Sequence, residues 1–494
     1  MMSWPSMRFT QLIKGSEISG IKSIKADFKV KGISCNSKEV GRDFIFVAIK
    51  GNKADGAEFI REAVAKGARA VVMQDPVIDL KTKEQICFLG AKDCRLALAG
   101  LASSFYRNPS SKLKVAAVTG TNGKTTITYL IESILKQTKH NPVVIGTINY
   151  RFKGRVIPSK NTTPGPVELQ RLLAEMQKKG ADYAVMEVSS HGLDQSRTEK
   201  IDFSSAIFTN LTQDHLDYHR TMSEYFKAKA KLFVNLKASA FAVINNDDIY
   251  ARKLKPLTKA KTVTYAIENY ADVRAKRIKM DIFRTEFVLS YDNKEMPLNI
   301  GLIGRHNVYN VMAAFAWAKN EGLDLQRAAA ALERFSLVPG RLEKIDSGTG
   351  FCVFVDYAHT EDALKNVIGA LRQISKGRII VVFGCGGERD KGKRPKMGKV
   401  ASEMADYAII ANDNPRSEEP QDIISDIKKG IKTKNYCVIP ERIEAIRKSL
   451  SLAKKGDVVL VAGKGHEDCQ IVKDKIIHFD DREAVRECLR SMSC

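Results

Sequence analysis

Residues 120–126 read GTNGKTT, and every residue type in that stretch suits phosphate chemistry. Gly120 and Gly123 let backbone N–H groups curl round phosphate oxygens at a helix N-terminus, while Thr121, Asn122 and Thr126 complete the loop. Lys124 can reach terminal phosphates and the Thr125 hydroxyl can hold magnesium. The apolar run before the loop reads as a strand over 113–118. Beyond it, Ile127, Leu130, Ile131, Ile134 and Leu135 recur at i, i+3, i+4, i+7 and i+8, which predicts an amphipathic helix. Strand, loop and helix in this order point to ATP, against the plainer alternative of a glycine turn without a ligand. The spacing departs from G-x-x-x-x-G-K-[ST], because Val118 stands where the first glycine would be, and this weakens a generic kinase or motor reading.

A second stretch, ANDNPRSEEP at 411–420, follows the apolar run YAII. Pro415 stiffens a turn that carries Arg416, and Asp413 and Asn414 can bind neighbouring polar groups. An arginine fork matches a carboxylate bidentately. Arg389, in GGERDKGKRP, sits on another strand-end turn and can reach the same pocket. The plain alternative is a surface ion pair from Arg416 to Glu418 or Glu419, which is worth little. Two further segments, ADYAVMEVSSHGLDQSR (181–197) and SSAIFTNLTQDHLDYH (204–219), place acids, histidines and hydroxyls after apolar strands. Glu187 suits magnesium, which prefers oxygen ligands, whereas His215 by itself reads as a hydrogen-bonding residue. In SEYFKAKAKLF (223–233), Lys227, Lys229 and Lys231 read as a solvated helix face.

The chain that must position these groups has 494 residues, too many for one core, so three domains are expected. Residues 1–105 read as a small N-terminal α/β unit and 106–338 as a central P-loop domain with a doubly wound sheet. Residues 339–494 read as a C-terminal Rossmann-like sheet with strands at CVFVDYA, RIIVVFGC, YAIIAN and VVLVAG. The strand–loop–helix pattern is expected to repeat to about residue 338. In such α/β sheets ligands bind at the carboxyl ends of strands, where these strands meet polar or glycine-rich turns. The composition, 44% hydrophobic and 28% charged, is that of an ordinary soluble protein. No apolar run reaches the length of a membrane span, and the N-terminus lacks a signal-peptide core; a cytoplasmic location is expected. Nine cysteines without a CxxC pair argue against zinc or a disulfide framework. The net charge of +23 suits polyanionic partners, but the basic residues are spread along the chain as on a solvated surface.

The motifs GTNGKTT, NTTPGP, MEVSSHGLDQSR, NLTQDHLDYH, FKAKAKLF, LIGRHNVYN, VPGRLE, VDYAHT, FGCGGERDKGKRP, DNPRSEEP and AGKGHED occur in one order across 120–468. Together they resemble the Mur ligase family, and the N-terminal unit resembles its uridine-binding domain. The resemblance implies an ATP-dependent ligase that joins meso-diaminopimelate to the D-glutamate side-chain carboxylate of UDP-MurNAc-L-Ala-D-Glu through an acyl phosphate. It implies carbamylation of Lys229 by CO2, with Glu187, His215 and Lys229 organising magnesium beside Thr125, and Lys124 serving ATP. Asn307, Arg341, Asp356 and His359 would close round the nucleotide. Thr162, Thr163, Ser189, Gln195 and Arg197 would hold the muramyl-peptide substrate, and Ser37 with the 52–55 stretch (NKAD) its uridine end. Arg389, Asp413, Asn414, Pro415, Arg416, Gly463 and Glu467 would form the diaminopimelate pocket. The implied protein is a monomer that binds neither nucleic acid nor membrane.

Four positions depart from the family pattern: Asn36 and Lys38, in NSK at 36–38 for a usual DSR, Gln213 for an arginine, and Glu388 for an aspartate. Other readings are a lysine-adding relative, which would lack Arg416 in this context, and a folate polyglutamate ligase, which would lack the N-terminal unit. A P-loop nucleic-acid-dependent ATPase would need a full Walker A and a Walker B strand. A sensor without catalysis would carry damage at Lys124 or Lys229, and both are intact.

Overall fold

Alternation along the strands builds each sheet, with small and branched apolar residues pointing to two faces in turn. The computed structural model describes residues 6–14, 16–18, 20, 21, 27–51, 54–74 and 86–492. These residues form two compact units. One reaches to Ala117 and takes in His140–Ser205; the other holds Val118–Lys139 and continues from Ala206.

In the first unit a five-stranded sheet runs in the order Gly20–Ile21, Cys87–Gly90, Ala68–Met73, Phe44–Val47, Gly32–Ser34. The last four strands are parallel and the first is antiparallel to its neighbour. Ile45, Val47, Ala70, Val72 and Leu89 face the helix Cys94–Phe105. Phe46 and Val71, one residue out of phase, face the helix Ile60–Ala65. The same unit contains Tyr183–Glu187 parallel to Pro142–Ile145, followed outward by the hairpin Asn149–Phe152 and Arg155–Pro158.

In the second unit the helix Lys124–Gln137 forms where the stripe predicted it, and Ile127, Leu130, Ile131, Ile134 and Leu135 are all fully buried. Each such side chain contributes about 1.5–3 kcal/mol relative to exposure, so the loop at its N-terminus is anchored by its own helix. Phe241–Asn245, Lys261–Ala266 and Val273–Met280 pair in parallel. From Val273 the expected strand–loop–helix repeat gives way to a meander, Val273–Met280, Thr285–Tyr291, Lys294–Ile300, paired antiparallel without intervening helices. The cause is local: Asp292 and Asn293 both take positive φ in a tight turn, and TEFVLSY alternates buried and more open residues at period two.

The C-terminal part of this unit is a six-stranded sheet in the order Glu343–Ile345, Cys352–Asp356, Val458–Ala462, Ile379–Phe383, Tyr407–Ile410, Tyr436–Val438. All pairs are parallel except the first. Phe354, Val381, Ile410 and Leu460 pack on helices Glu361–Ile374, Lys393–Met404 and Pro420–Lys428. Val355, Val382, Ile409 and Val461 pack on Arg442–Leu452 and Asp481–Met492. A sheet covered on both faces leaves its strand ends as the place for a ligand. The hairpin Cys469–Val472 and Lys475–His478 was not foreseen in the sequence.

Arg442 and Asp481 make a fully buried, two-pronged ion pair, with both N–O distances 2.7 Å. Arg442 also donates to the carbonyls of Asn412 and Ala462 at 3.3 and 2.9 Å, so it clamps two strand ends next to Asp413 and Gly463. Asp481→Ala is expected to lower unfolding stability by about 3–5 kcal/mol, the scale for leaving one buried charge unpaired. Urea denaturation of the purified variant measures this.

Candidate functional site

The phosphate loop is shaped by contacts far away in sequence. Gly120 has φ 151°, and a Cβ there would lie 1.8 Å from Thr209 Oγ1, so the position excludes any side chain. The Thr121 amide donates to Asn210 O at 2.9 Å and the Asn122 amide to Asn210 Oδ1 at 2.9 Å. Thr209 Oγ1 donates to Asn122 O at 2.6 Å. Thr209 and Asn210 thus set the loop, and their only signal in the sequence was a position at the end of an apolar strand. Gly123 caps the helix, and Lys124 Nζ donates to the carbonyls of Gly120 and Thr121 at 2.9 and 2.7 Å.

Lys229 corrects the reading of its helix as a solvated face. Lys227 and Lys231 are exposed, one turn apart on one side of Met222–Val234, but Lys229 is turned to the other side and is 2% exposed. Its Nζ donates to Gly120 O at 2.8 Å and lies 4.7 Å from the centre of the Tyr225 ring. Burial, reinforced by the charge of Lys124, pushes its pKa well below the ordinary lysine value. That shift favours the neutral amine over the ammonium, and the amine is the form that reacts with CO2. Asp214 and His215 stand nearby in sequence and structure: His215 Nε2 lies 3.4 Å from Asp214 Oδ2, and His359 Nε2 lies 4.0 Å from the same oxygen. Burial disfavours a charged Asp214, yet His215, His359 and Lys393 hold its pKa below the usual range.

A cavity of about 480 Å³ opens beside the loop, a volume in the range of small-molecule sites. Asn122, Gly123 and Thr126 line it together with Asn307, Arg341 and Asp356. Arg341 donates to Thr125 Oγ1 at 3.2 Å and stacks on Tyr357 at 4.6 Å, while its buried Nε has no partner among the described residues. An orphaned guanidinium nitrogen beside a phosphate-type loop fits a polyanionic nucleotide. Asp356 accepts from the Leu342 amide at 2.6 Å, and burial raises its pKa to about 6 against the pull of Arg341. His359 donates to Tyr357 O at 2.8 Å through Nδ1. The Asn122 amide group also reaches Asp362 at 2.8 Å, and Thr212 reaches the same oxygen at 3.3 Å, a link to the helix Glu361–Ile374 not foreseen in the sequence.

In the first unit, Glu187, Thr162, Thr163, Ser189, Gln195 and Arg197 come together. Glu187 is buried and accepts from the Thr147 amide and hydroxyl at 2.8 and 2.9 Å. Thr147 Oγ1 lies 3.1 Å from Thr162 Oγ1. Thr163 donates to Glu187 O at 3.0 Å and lies 3.2 Å from Ser189 Oγ, which itself caps the next helix turn at Gly192. Arg197 grips Gln195 Oε1 and Thr163 O at 2.7 and 2.8 Å. Ser37 is buried and donates to Glu62 at 2.7 Å. Asn52 and Lys53, half of the 52–55 stretch, lie outside the described residues; Asn36 caps its turn at the Lys38 amide as an aspartate would. Among the described residues no three His, Cys, Asp or Glu side chains form a metal cluster. Magnesium is commonly held by one or two carboxylates with substrate phosphates, a set that needs no preformed cage.

The strand ends of the C-terminal sheet bring the remaining group together. Arg416 takes φ 54°, and its backbone is pinned to the hairpin through Ile471 O and the Lys473 amide at 3.0 and 2.7 Å. Its side chain donates to Gly387 O at 2.7 Å, and burial followed by repulsion from Arg389 lowers its pKa. Glu418 pairs instead with Arg394 at 2.9 Å, and Glu419 with Lys473 at 3.2 Å. The plain ion-pair alternative for Arg416 is therefore absent from the described residues. Opposite in charge, Glu467 accepts from Asn414 at 2.8 Å and Lys464 at 3.4 Å, with Tyr357 OH at 3.3 Å. Gly463 has φ 118°, and a Cβ would lie 2.8 Å from Asp413 Oδ2. Pro415 is buried between Asn414 and Arg416. Two cations and two acids at one set of strand ends suit a ligand bearing both a carboxylate and an ammonium group. Of the departures, Gln213 joins Asp390 at 3.4 Å and also Lys396, and Glu388 meets Ser417.

Three family descriptions match the chain: Mur ligase middle domain over residues 118–318, Mur ligase glutamate ligase domain over 340–465, and Mur ligase family catalytic domain over 29–106. A UDP-N-acetylmuramoyl-L-alanyl-D-glutamate–2,6-diaminopimelate ligase of Clostridium tetani is 42% identical over 488 residues, covering 98% of this chain and all of that protein. The enzyme of that name from Caldanaerobacter subterraneus is 44% identical, covering 98% and 99%. A solved structure with the same name has a TM-score of 0.69 at 32% identity, covering 99% of this chain and 100% of the other. No helix of the described residues is long and apolar enough to cross a membrane.

Burial drives three imidazoles toward the neutral form, helped by the charge of Arg341 at His306 and His466 and of Lys393 at His359: His306 and His359 to about 4, His466 to about 3. His359 keeps 36% of its side chain exposed, so water screens its share. Unfolded histidines titrate near 6.5, so between pH 6.5 and 4 the unfolded chain binds more protons and stability falls as pH falls. Asp356, raised to about 6, acts in the opposite direction but is one group against three. His466→Phe is expected to reduce the slope of unfolding free energy over pH 4.5–6 by up to about 1.4 kcal/mol per pH unit, the value of one proton. Denaturant titrations across that range measure it.

Proposed function

The chain belongs to the Mur ligase family, and from that premise we propose that it adds meso-diaminopimelate to UDP-MurNAc-L-Ala-D-Glu at the expense of ATP, in peptidoglycan precursor synthesis. The observation that carries the choice of amino acid is Arg416, half-buried beside Arg389 and without a carboxylate partner among the described residues. Meso-diaminopimelate differs from lysine by a second carboxylate at its far end. That carboxylate would complete Arg416 and Arg389, while Glu467 and Asp413 meet the ammonium group beside it. Lysine would leave the guanidinium buried and unpaired, the situation that yields large discrimination ratios.

In the reaction the D-glutamate carboxylate attacks the γ-phosphorus of ATP, giving ADP and an acyl phosphate, and the incoming amine then displaces phosphate. Such chemistry needs positioning and charge neutralisation above all. Lys124 and Arg341 offset phosphate charge, the loop amides at 120–126 orient the phosphates, and Asn307, Asp356 and His359 close round the nucleotide. Thr162, Thr163, Ser189, Gln195 and Arg197 hold the muramyl peptide, and Ser37 belongs to the uridine end. The neutral amine of Lys229 attacks CO2, forms a C–N bond, and releases a proton to give a carbamate. We assign Thr125, Glu187, His215 and that carbamate as the groups that would hold magnesium, an ion that would neutralise phosphate charge.

The division of labour follows 1–105 for the uridine substrate, 106–338 for ATP and 339–494 for the amino acid. We further propose a cytoplasmic monomer that needs no nucleic acid. Phosphate release is expected with ATP, magnesium, UDP-MurNAc-L-Ala-D-Glu and meso-diaminopimelate, and not when L-lysine replaces the diamino acid. Arg416→Ala is expected to reduce kcat/KM for diaminopimelate by about 100-fold or more, as for a charged recognition contact worth about 3 kcal/mol. Equal use of lysine by the unaltered protein would overturn the role of Arg416.

A further inference from the structure

One buried lysine beyond these strand ends enters the account above only through its charge on Asp214 and His359. Lys393 opens the twelve-residue helix Lys393–Met404 and is 5% exposed. The loop that enters this helix lies against the Asp214 segment: a Cβ at Gly392 would be 3.9 Å from Gln213 Nε2, and Gln213 also joins Asp390 and Lys396. The charge of Lys393 is felt by Asp214, by His359 and by the buried Cys385. It therefore stands beside the Gln213–Asp214 segment, and the residue before that segment, Thr212, is tied to the phosphate loop through Thr121 Oγ1 at 3.1 Å. Among the described residues its ammonium makes no hydrogen bond and no ion pair. A lysine kept for structure would surrender its hydration only for protein acceptors. Here none is supplied, and the N-terminus of its own helix adds positive charge at the same place.

We propose that Lys393 is a further catalytic residue, whose ammonium binds the phosphoryl oxygens of the acyl phosphate and the phosphate that leaves. The inference rests on the ligase reading. In the first step a carboxylate oxygen bonds to the γ-phosphorus, and the bond to the bridging oxygen breaks with its electron pair on ADP. In the second, the amine nitrogen bonds to the acyl carbon and gives a proton to water or a general base. The carbon–oxygen bond to phosphate then breaks, and the electron pair stays on phosphate. Charge on the phosphoryl group grows during that cleavage, and a fixed cation there lowers its energy. Lys124 remains with the phosphate loop; Lys393 comes from the sheet that carries the amino-acid pocket.

Lys393→Met keeps an unbranched chain one atom shorter and removes its charge, and Lys393→Arg keeps the charge. Both are assayed as full-length protein with ATP, magnesium, UDP-MurNAc-L-Ala-D-Glu and meso-diaminopimelate, following kcat, ATP affinity and melting temperature. Lys393→Met is expected to lose about 100-fold or more in kcat, with ATP affinity within roughly threefold and an unchanged melting temperature, while Lys393→Arg retains part of the rate. A Lys393→Met enzyme with near-normal kcat would overturn the inference. So would a lowered melting temperature in which the folded, ATP-binding fraction still turns over at the normal rate. If the unaltered protein itself formed no ligated product, the ligase reading would fall and this inference with it.

Discussion

Two lysine side chains share one carbonyl oxygen, and much of the second unit follows from that fact. Lys124 and Lys229 both donate to Gly120 O, at 2.9 and 2.8 Å. Two ammonium groups this close, one of them buried, repel each other in a poorly screened setting, and burial with that repulsion sets the pKa of the buried one well below the ordinary lysine value. The shared acceptor exists because Gly120 takes a conformation that a side chain at that position would block. That conformation in turn is fixed by Thr209 and Asn210, which hold the next two residues of the loop. A glycine, a threonine and a helix packed by five aliphatic side chains thus bring the two lysines to one oxygen and bias the buried one toward the neutral amine.

The C-terminal sheet solves a second electrostatic problem. Its parallel strands end in a row of charged groups: Asp356, Asp413, Arg416, Lys464 and Glu467. Burial alone would discharge many of them. Some are held by protein partners, as Arg442 is by Asp481, and these fix the backbone. Others, such as Arg416, are left without a counter-charge among the described residues while neighbouring glutamates are engaged elsewhere. The difference between satisfied and unsatisfied charge separates scaffold from recognition surface more clearly than residue type does.

How much of this was legible in the sequence depended on the range of the interaction. The loop and its helix were, because glycine spacing and a 3.6-residue stripe are local. The four parallel strands of the C-terminal sheet were also legible, since each is a continuous apolar run ending in a polar turn. The meander over 273–300 was obscured because period-two alternation is interrupted by charged residues on its open face. The residue pattern alone put Lys229 on a solvated face, and only the family resemblance set it apart: three lysines at every second position look alike in sequence, but on a helix the middle one faces away from the other two. The Asn122–Asp362 link joins residues too distant in the chain for any pattern to pair them. Arg416 was singled out in the sequence by its turn, but only the pairing of Glu418 and Glu419 with other cations disposed of its plain ion-pair alternative.

The most direct test of this account is carbon-13 NMR of the protein equilibrated with labelled bicarbonate. A carbamate resonance that is lost in Lys229→Met, together with turnover that falls when CO2 is stripped and returns when it is restored, is the predicted result. Absence of any such resonance from the active protein, with turnover indifferent to CO2, would contradict the central claim that the fold keeps Lys229 as a neutral, reactive amine.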